Sequence, residues 1–303
     1  MDRWLALGIS IQASNKILNF ILGRESANIP TSFYCGISTT PAGFNGESLT
    51  EPVDPAYKRV EIKNDKESFS YAVDKMVSII KEYVFDDTSQ SWGMCVAFGL
   101  YDAIEDGNLW FYGELQTPTL VGVDVAIAIP PNANQFSFDI LGGSTTLMSM
   151  TTSIANKIIN YILGLAPTLI PPERFYLGVS TTPISVEGIG MTEPQSSEYE
   201  RLEIPNDKNS FTISTDNRLT LAKEFRFPTS ATNWGEIKYF FISDAKIGGE
   251  IWWAGKLVNT RNVSASTTLT VKPDGFVWTI SQTEDLFAAN NASVQKTNKV
   301  FWG

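Results

Sequence analysis

The sequence predicts a mainly β protein. The expected form is two tandem antiparallel β-sandwich domains, jelly-roll-like, each led by a short α-helix. Three observations carry this expectation. First, the chain of 303 residues repeats itself: laying Phe33 on Phe175 aligns the halves without a gap as far as Phe138. Second, each copy holds short runs of β-branched and aromatic residues, separated at even spacing by Gly, Pro, Asn and Asp. Third, one amphipathic stretch opens each copy, with apolar residues at helical spacing. The repeat is far longer than the roughly 20–50 residues of a solenoid unit, so each copy is expected to fold around its own core. The expected division is 1–140, 141–281 and a C-terminal tail, 282–303.

The elements follow in order. Ser14 to Gly23 places Ile17, Leu18, Phe20, Ile21 and Leu22 on one helical stripe, and Gly23 is a C-terminal stop. One residue out of step, Asn156 to Gly164 says the same. Phe33–Ser38 and Phe175–Ser180 read as strands ended by Thr-Thr-Pro. A long Gly- and Pro-containing loop follows, then an alternating stretch from Tyr57 to Ile62, in which Glu61 is expected to pair with Arg59. Asn64-Asp65-Lys66 reads as a turn. Within residues 69–85, Asp74 to Glu82 resembles a helix locally, but Phe211–Ser214 and Leu221–Pro228 read as strands, so strand is expected in both copies. After Trp92-Gly93 and Trp234-Gly235 comes a hairpin in each copy. Further strands are expected near Val121–Ile129, Val263–Val271, Gln135–Ile140 and Val277–Ser281. The link Leu141–Thr146 reads as flexible.

Composition excludes several chemistries. The formal charge is −10 and no Lys/Arg run could neutralise a phosphate backbone, so no nucleic-acid partner is expected. No apolar run is long enough for membrane insertion, and Met1–Ser10 lacks the long apolar core of a signal peptide. With no histidine and two cysteines, His-based triads, zinc sites and iron–sulfur sites are out of reach. No cofactor or metal is expected. Cys35 falls on Leu177 and Cys95 on Ile237, so both thiols read as small buried hydrophobes.

Carboxylates recur in both copies: Glu51/Glu193, Glu61/Glu203, Asp65/Asp207 and Asp102/Asp244. A glycosidase would need two such groups facing across a groove. Their places in loops and at strand ends favour structural roles, and the chain is not expected to be an enzyme. For Trp110, Trp252 and Trp253 core packing is the favoured reading, and they are kept as candidate interface or glycan-contact aromatics because an exposed indole offers a flat apolar face. Strand alternation requires that at least one of Trp252 and Trp253 be core. In the tail, Phe301 and Trp302 end a polar stretch and are candidate docking residues.

The order of these pieces resembles a domain of tailed-bacteriophage virion proteins, those described as tail fibre or minor tail proteins. The matching residues are Ala155-Asn156-Lys157 to Leu163-Gly164, Ser180-Thr181-Thr182-Pro183, Thr192-Glu193-Pro194, Tyr199 with Arg201, Asn209-Ser210, Trp234-Gly235, Asp244-Ala245 and Trp253-Ala254-Gly255. The first copy departs from the pattern between Ser70 and Ser91. The resemblance implies a virion building block, assembled in the host cytoplasm, with no catalytic residues to carry over.

The expected function is therefore a tail-associated virion structural protein: a fibre, a baseplate-proximal part or a fibre adaptor. Its expected partners are other virion proteins and further copies of itself, a trimer being favoured. A trimer of duplicated chains would present six similar domains and could join a three-fold part to a six-fold one. The alternatives are capsid decoration and a tandem carbohydrate-binding module that attaches to a host surface glycan.

Overall fold

The computed structural model describes residues 4–43, 46–132, 135–137, 140–142, 146–213, 219–273 and 275–280. The tail 282–303, with Phe301 and Trp302, lies outside the described residues.

The first repeat runs β1 (Trp4–Ile9), α1 (Ile11–Ile21), β2 (Ser32–Ser38), β3 (Val60–Lys63), β4 (Met76–Ser78), β5 (Tyr83–Val84), β6 (Gly93–Tyr101), β7 (Leu109–Val121), β8 (Ala128–Ile129) and β9 (Gln135–Ser137). Then come β10 (Ile140–Gly142), β11 (Thr146–Met150), α2 (Thr152–Ile162), β12 (Arg174–Ser180), β13 (Leu202–Pro205), β14 (Phe211–Ile213), β15 (Leu219–Leu221), β16 (Phe225–Arg226), β17 (Gly235–Ser243), β18 (Ile251–Val263), β19 (Thr270–Val271) and β20 (Val277–Ile280).

The fold is mainly β, and every strand pair is antiparallel. In the first repeat the main sheet has the order β1-β7-β6-β2-β3. The second repeat uses the same order for β11-β18-β17-β12-β13, extended through β10, β20, β15 and β14 into nine strands. That sheet rolls over on itself: Phe175 on β12 meets Phe211 on β14, its far edge, at 6.5 Å edge to face. The link expected to be flexible is partly strand, because Leu141 pairs with Ser149 and Thr279. Residues 69–85 contain β4 and β5 rather than a helix. The strand expected over Val121–Ile129 divides: β7 continues to Val121, and β8 is two residues long.

The helix ends differ at the start and agree at the stop: α1 has a side-chain N-cap and α2, at Thr151, has none. Ser10 caps α1, its Oγ accepting from Ala13 N at 3.1 Å. Gly23 and Gly164 follow the helices in left-handed conformation, φ 61° and 64°. The apolar stripe of α1 buries Ala13, Ile17, Leu18 and Ile21; that of α2 buries Ile154, Ala155, Ile158, Ile159 and Ile162. A three-turn helix is marginal alone and takes its stability from that burial.

Candidate functional site

Among the described residues, the candidates land in two kinds of place. Trp110, Trp252 and Trp253 are core: their exposures are 1 %, 4 % and 0 %. None offers a ring face to solvent, so the favoured core reading holds and the alternative of a glycan or interface contact is corrected. Alternation failed for Trp252 and Trp253 because the register slips there. Ile242 pairs with Trp253 and Ser243 with Ile251, leaving Trp252 as the extra residue of a bulge. Both indoles consequently turn inward onto Phe175, at 5.4 and 5.3 Å. The first repeat repeats the device: Trp110 is the bulged residue, and Trp110 and Phe111 both meet Phe33 at 5.8 Å.

The recurring carboxylates are all engaged in local structure. Arg59 binds Glu51, not Glu61: Nε donates to Oε1 at 2.9 Å and a terminal nitrogen to Oε2 at 2.7 Å. Tyr57 Oη donates to Glu51 Oε1 at 2.6 Å and accepts from Ile37 N at 3.0 Å. Arg201, Glu193 and Tyr199 build the same network in the second repeat. Gly36 makes room for it, since a Cβ there would stand 2.3 Å from Glu51 Oε1. Burial, with the Glu51 charge beside it, pushes the Tyr57 hydroxyl well above the usual phenol range. Glu61 accepts instead from Ser32 Oγ, and Glu203 pairs with Arg174. Asp65 and Asp207 accept from backbone N–H groups two and three residues on. Asp102 accepts from Asn108 and from Trp110 Nε1, and Asp244 from Glu250 N.

One carboxylate differs between the copies yet does one job. Asp54 takes Trp92 Nε1 at 2.9 Å, and Glu198 takes Trp234 Nε1 at 3.0 Å. Asp54 lies opposite Ser196 in the alignment and Glu198 opposite Ala56, so a longer side chain two residues later reaches the same indole. Burial would raise Asp54, but bonds from Ser89, Ala56, Gln90 and Trp92 hold it well below the usual range. Glu198 is lowered to about 2, chiefly by the Ser196 hydroxyl.

Sequence reasoning missed the junction between the repeats. Phe20 stacks on Tyr161, its own counterpart, with centroids 5.3 Å apart. Asn64 Nδ2 donates to Ile162 O at 2.8 Å, at the end of α2; Asn206 Nδ2 donates to Ile21 O at 2.9 Å, at the end of α1. A residue stacked on its equivalent, with contacts exchanged both ways, marks an isologous, two-fold contact. Gly23 and Gly164 permit it: a Cβ would stand 2.0 Å from Asn206 O and 1.9 Å from Asn64 O. Further bonds come from α2. Asn160 Oδ1 accepts from Ala72 N at 2.7 Å and Asn156 Oδ1 from Lys75 N at 2.8 Å. Lys75 sits in a tight turn, with φ 49° at Asp74 and 66° at Lys75. The signal available in the sequence was the Asn at 64 and 206 together with the glycines at 23 and 164.

Open concave surface is also duplicated. A cleft of about 390 Å³ lies between the outer half of β18 and β19, over Val179, Leu257, Arg261, Leu269 and Thr270. Its counterpart, about 300 Å³, lies between β7 and β8 over Ile37, Leu115, Thr119, Ile127 and Ala128. These are the same alignment positions, with the cation at 261 replaced by Thr119.

Among known families, one described as Podophage GP4 fiber I protein gp80 matches the chain twice, over residues 8–137 and 149–279. The chain belongs to this family. Two consecutive matches establish the tandem duplication independently of the internal alignment. The boundaries fit the architecture: each match opens at or near the strand before a helix and ends in or beside the strand that closes its repeat. No curated protein matches the chain.

Proposed function

We propose that this chain is a tail-associated virion structural protein that acts by protein–protein assembly, without catalysis. The observation that carries the reading is the double match to a podophage fibre family. Two features of the molecule support it. The recurring carboxylates are consumed by turns, hydrogen bonds and ion pairs, and the indoles lie in the core, so repeated residues serve architecture. The repeats are also locked to each other through reciprocal contacts, which suits a rigid building block.

The proposed units are residues 1–140 and 141–281, with 282–303 as a tail through which Phe301 and Trp302 dock on a neighbour. The proposed oligomer is a trimer in the virion. The two-fold junction alters what such a trimer presents. The contact between these repeats is isologous, so six repeats in such a trimer would alternate it with contacts between chains. A three-to-six adaptor would then be built from blocks that each show two similar faces related by a local dyad.

The test is an image reconstruction of intact particles with the chain traced into density. Placement at the tail or baseplate is expected. Placement on the head surface would replace the reading with capsid decoration, and absence from the particle would refute both.

A further inference from the structure

Duplication supplies an internal control for the surface. Where the repeats share a fold but differ at exposed positions, the fold did not require the difference. One such departure lies on the first repeat, where β6 begins and β7 ends. Met94 and Leu120 are cross-strand partners in register, and both are exposed, at 48 % and 72 %. Val123 and Val125 follow β7 and are 54 % and 39 % exposed. At the same positions the second repeat has Glu236, Asn262, Ala265 and Thr267. Glu236 and Asn262 are partners in the same register, so the backbone is kept and only the side chains change.

Carboxylates border these apolar residues. Thr88 ties its own segment to the one after β7: its N donates to Val125 O at 3.2 Å, and its O accepts from Asp124 N at 3.0 Å. Asp86 and Asp87 are thereby brought beside the segment that carries Asp124. All three are exposed, and none has an ion-pair partner among the described residues. The second repeat has Pro228, Thr229 and Ser266 in their places. An apolar and acidic face is therefore written into one copy and not the other.

Grouped apolar side chains in water mark a contact surface, whereas scattered ones do not. None of these residues is aromatic, so a sugar finds no ring to stack on, and the carboxylates repel an anionic surface. A complement occurs in the same sequence. The segment from Lys296 to Trp302 carries Lys296 and Lys299, no acidic residue, and the run Val300-Phe301-Trp302. The stretch from Ile280 to Lys296 reaches about 50 Å when extended, at roughly 3.3 Å per residue, enough to cross to a neighbouring copy.

We propose that residues 296–302 of one copy dock on this first-repeat face of the next copy, with Val300, Phe301 and Trp302 over Met94 and Leu120, and Lys296 and Lys299 toward Asp86, Asp87 and Asp124. The contact joins two different surfaces, so it is heterologous, and it closes into a trimer when successive copies turn by about 120°. Copies with a formal charge of −10 otherwise repel each other, and the pairing of opposite charges offsets that repulsion where they meet. This inference rests on the reading of 282–303 as the docking tail of an assembly protein.

The experiment weighs the purified full chain by sedimentation equilibrium. The native chain is expected at three times its single-chain mass of 33.5 kDa. Asp86→Lys, Asp87→Lys and Asp124→Lys together should bring it down to the single-chain mass, and so should Lys296→Glu with Lys299→Glu. Mixing the two variants should restore association, because each tail then meets a face of opposite charge on the other chain. That recovery also shows that both variants fold. A native chain of single mass, a mass unchanged by either charge reversal, or variants that stay apart when mixed would each overturn the proposal. Placement in the particle is read separately, so a single-chain mass removes this inference and leaves the tail-associated function standing.

Discussion

Gly164→Ala tests the two-fold junction, with Gly235→Ala as its control. Both glycines are left-handed, at φ +64° and +80°. They differ in what surrounds them. A Cβ at 164 would stand 1.9 Å from Asn64 O and 2.7 Å from its carbonyl carbon, whereas a Cβ at 235 meets nothing within 4 Å. The left-handed conformation costs an L-residue about 1–2 kcal/mol, and Gly235→Ala should lose that alone. In Gly164→Ala the Asn64 turn must also retreat by more than about 1 Å to restore ordinary contact. That displacement breaks or stretches the two Asn64 Nδ2 bonds, to Ile162 O and Pro30 O, each 2.8 Å. Such bonds contribute about 0.5–1.5 kcal/mol apiece. The expected losses are therefore about 2–5 kcal/mol at 164 against about 1–2 at 235. Urea titration followed by circular dichroism reads both, from the midpoint shift at a common slope. Gly23→Ala should behave like Gly164→Ala, since its Cβ would stand 2.0 Å from Asn206 O. Equal losses at 164 and 235 would refute the close approach on which the junction depends.

Further outcomes follow from the same structure. Arg201→Met should destabilise the second repeat by about 3 kcal/mol, because Glu193 and two backbone carbonyls lose their donor in a largely buried place; thermal or urea unfolding reads it, and a loss below about 1 kcal/mol would contradict the role of that network. Glu198 is lowered from its usual 4.5 to about 2, so its contribution is present above pH 4.5 and lost as pH falls toward 2. Glu198→Gln should accordingly flatten the melting-temperature profile in that window, and an unaltered slope would count against the Ser196 and Trp234 bonds. Burial raises the Cys35 thiol far above its usual range and Cys95 to about 11, so neither should react with an aqueous disulfide reagent at pH 8 until the chain unfolds. Rapid labelling of the native protein would show that the β2–β6 region opens. Iodide should leave the buried emission of Trp252 and Trp253 unquenched in variants that retain only these indoles.

Much of the architecture was legible because local rules and the repeat agree. The leading helices, the strands flanking Trp92-Gly93 and Trp234-Gly235, and the turn at Asp65 are each specified by short-range chemistry, and each is written twice. The strands within residues 69–85 were readable only through the second copy, since Asp74 to Glu82 alone has helical character. Legibility ended where distant segments meet. The partner of Arg59 was misassigned because Glu61 is near in sequence while Glu51 is brought across by the loop, under the space left by Gly36. The inward turn of both Trp252 and Trp253 depends on a bulge, which period-two patterning does not contain.

By itself, then, the sequence determined the duplication, the β class and the placement of the helices, since these depend on composition and periodicity along one chain; the fibre family entered through the resemblance of its motifs to those of tail proteins. Tertiary structure alone decided that Phe20 stacks on Tyr161, that Asn64 and Asn206 cross to each other's helix, and that β18 and β19 face each other across an open cleft. These are contacts between residues far apart in the chain. Whether they form depends on the relative orientation of packed elements, a quantity that no local pattern encodes.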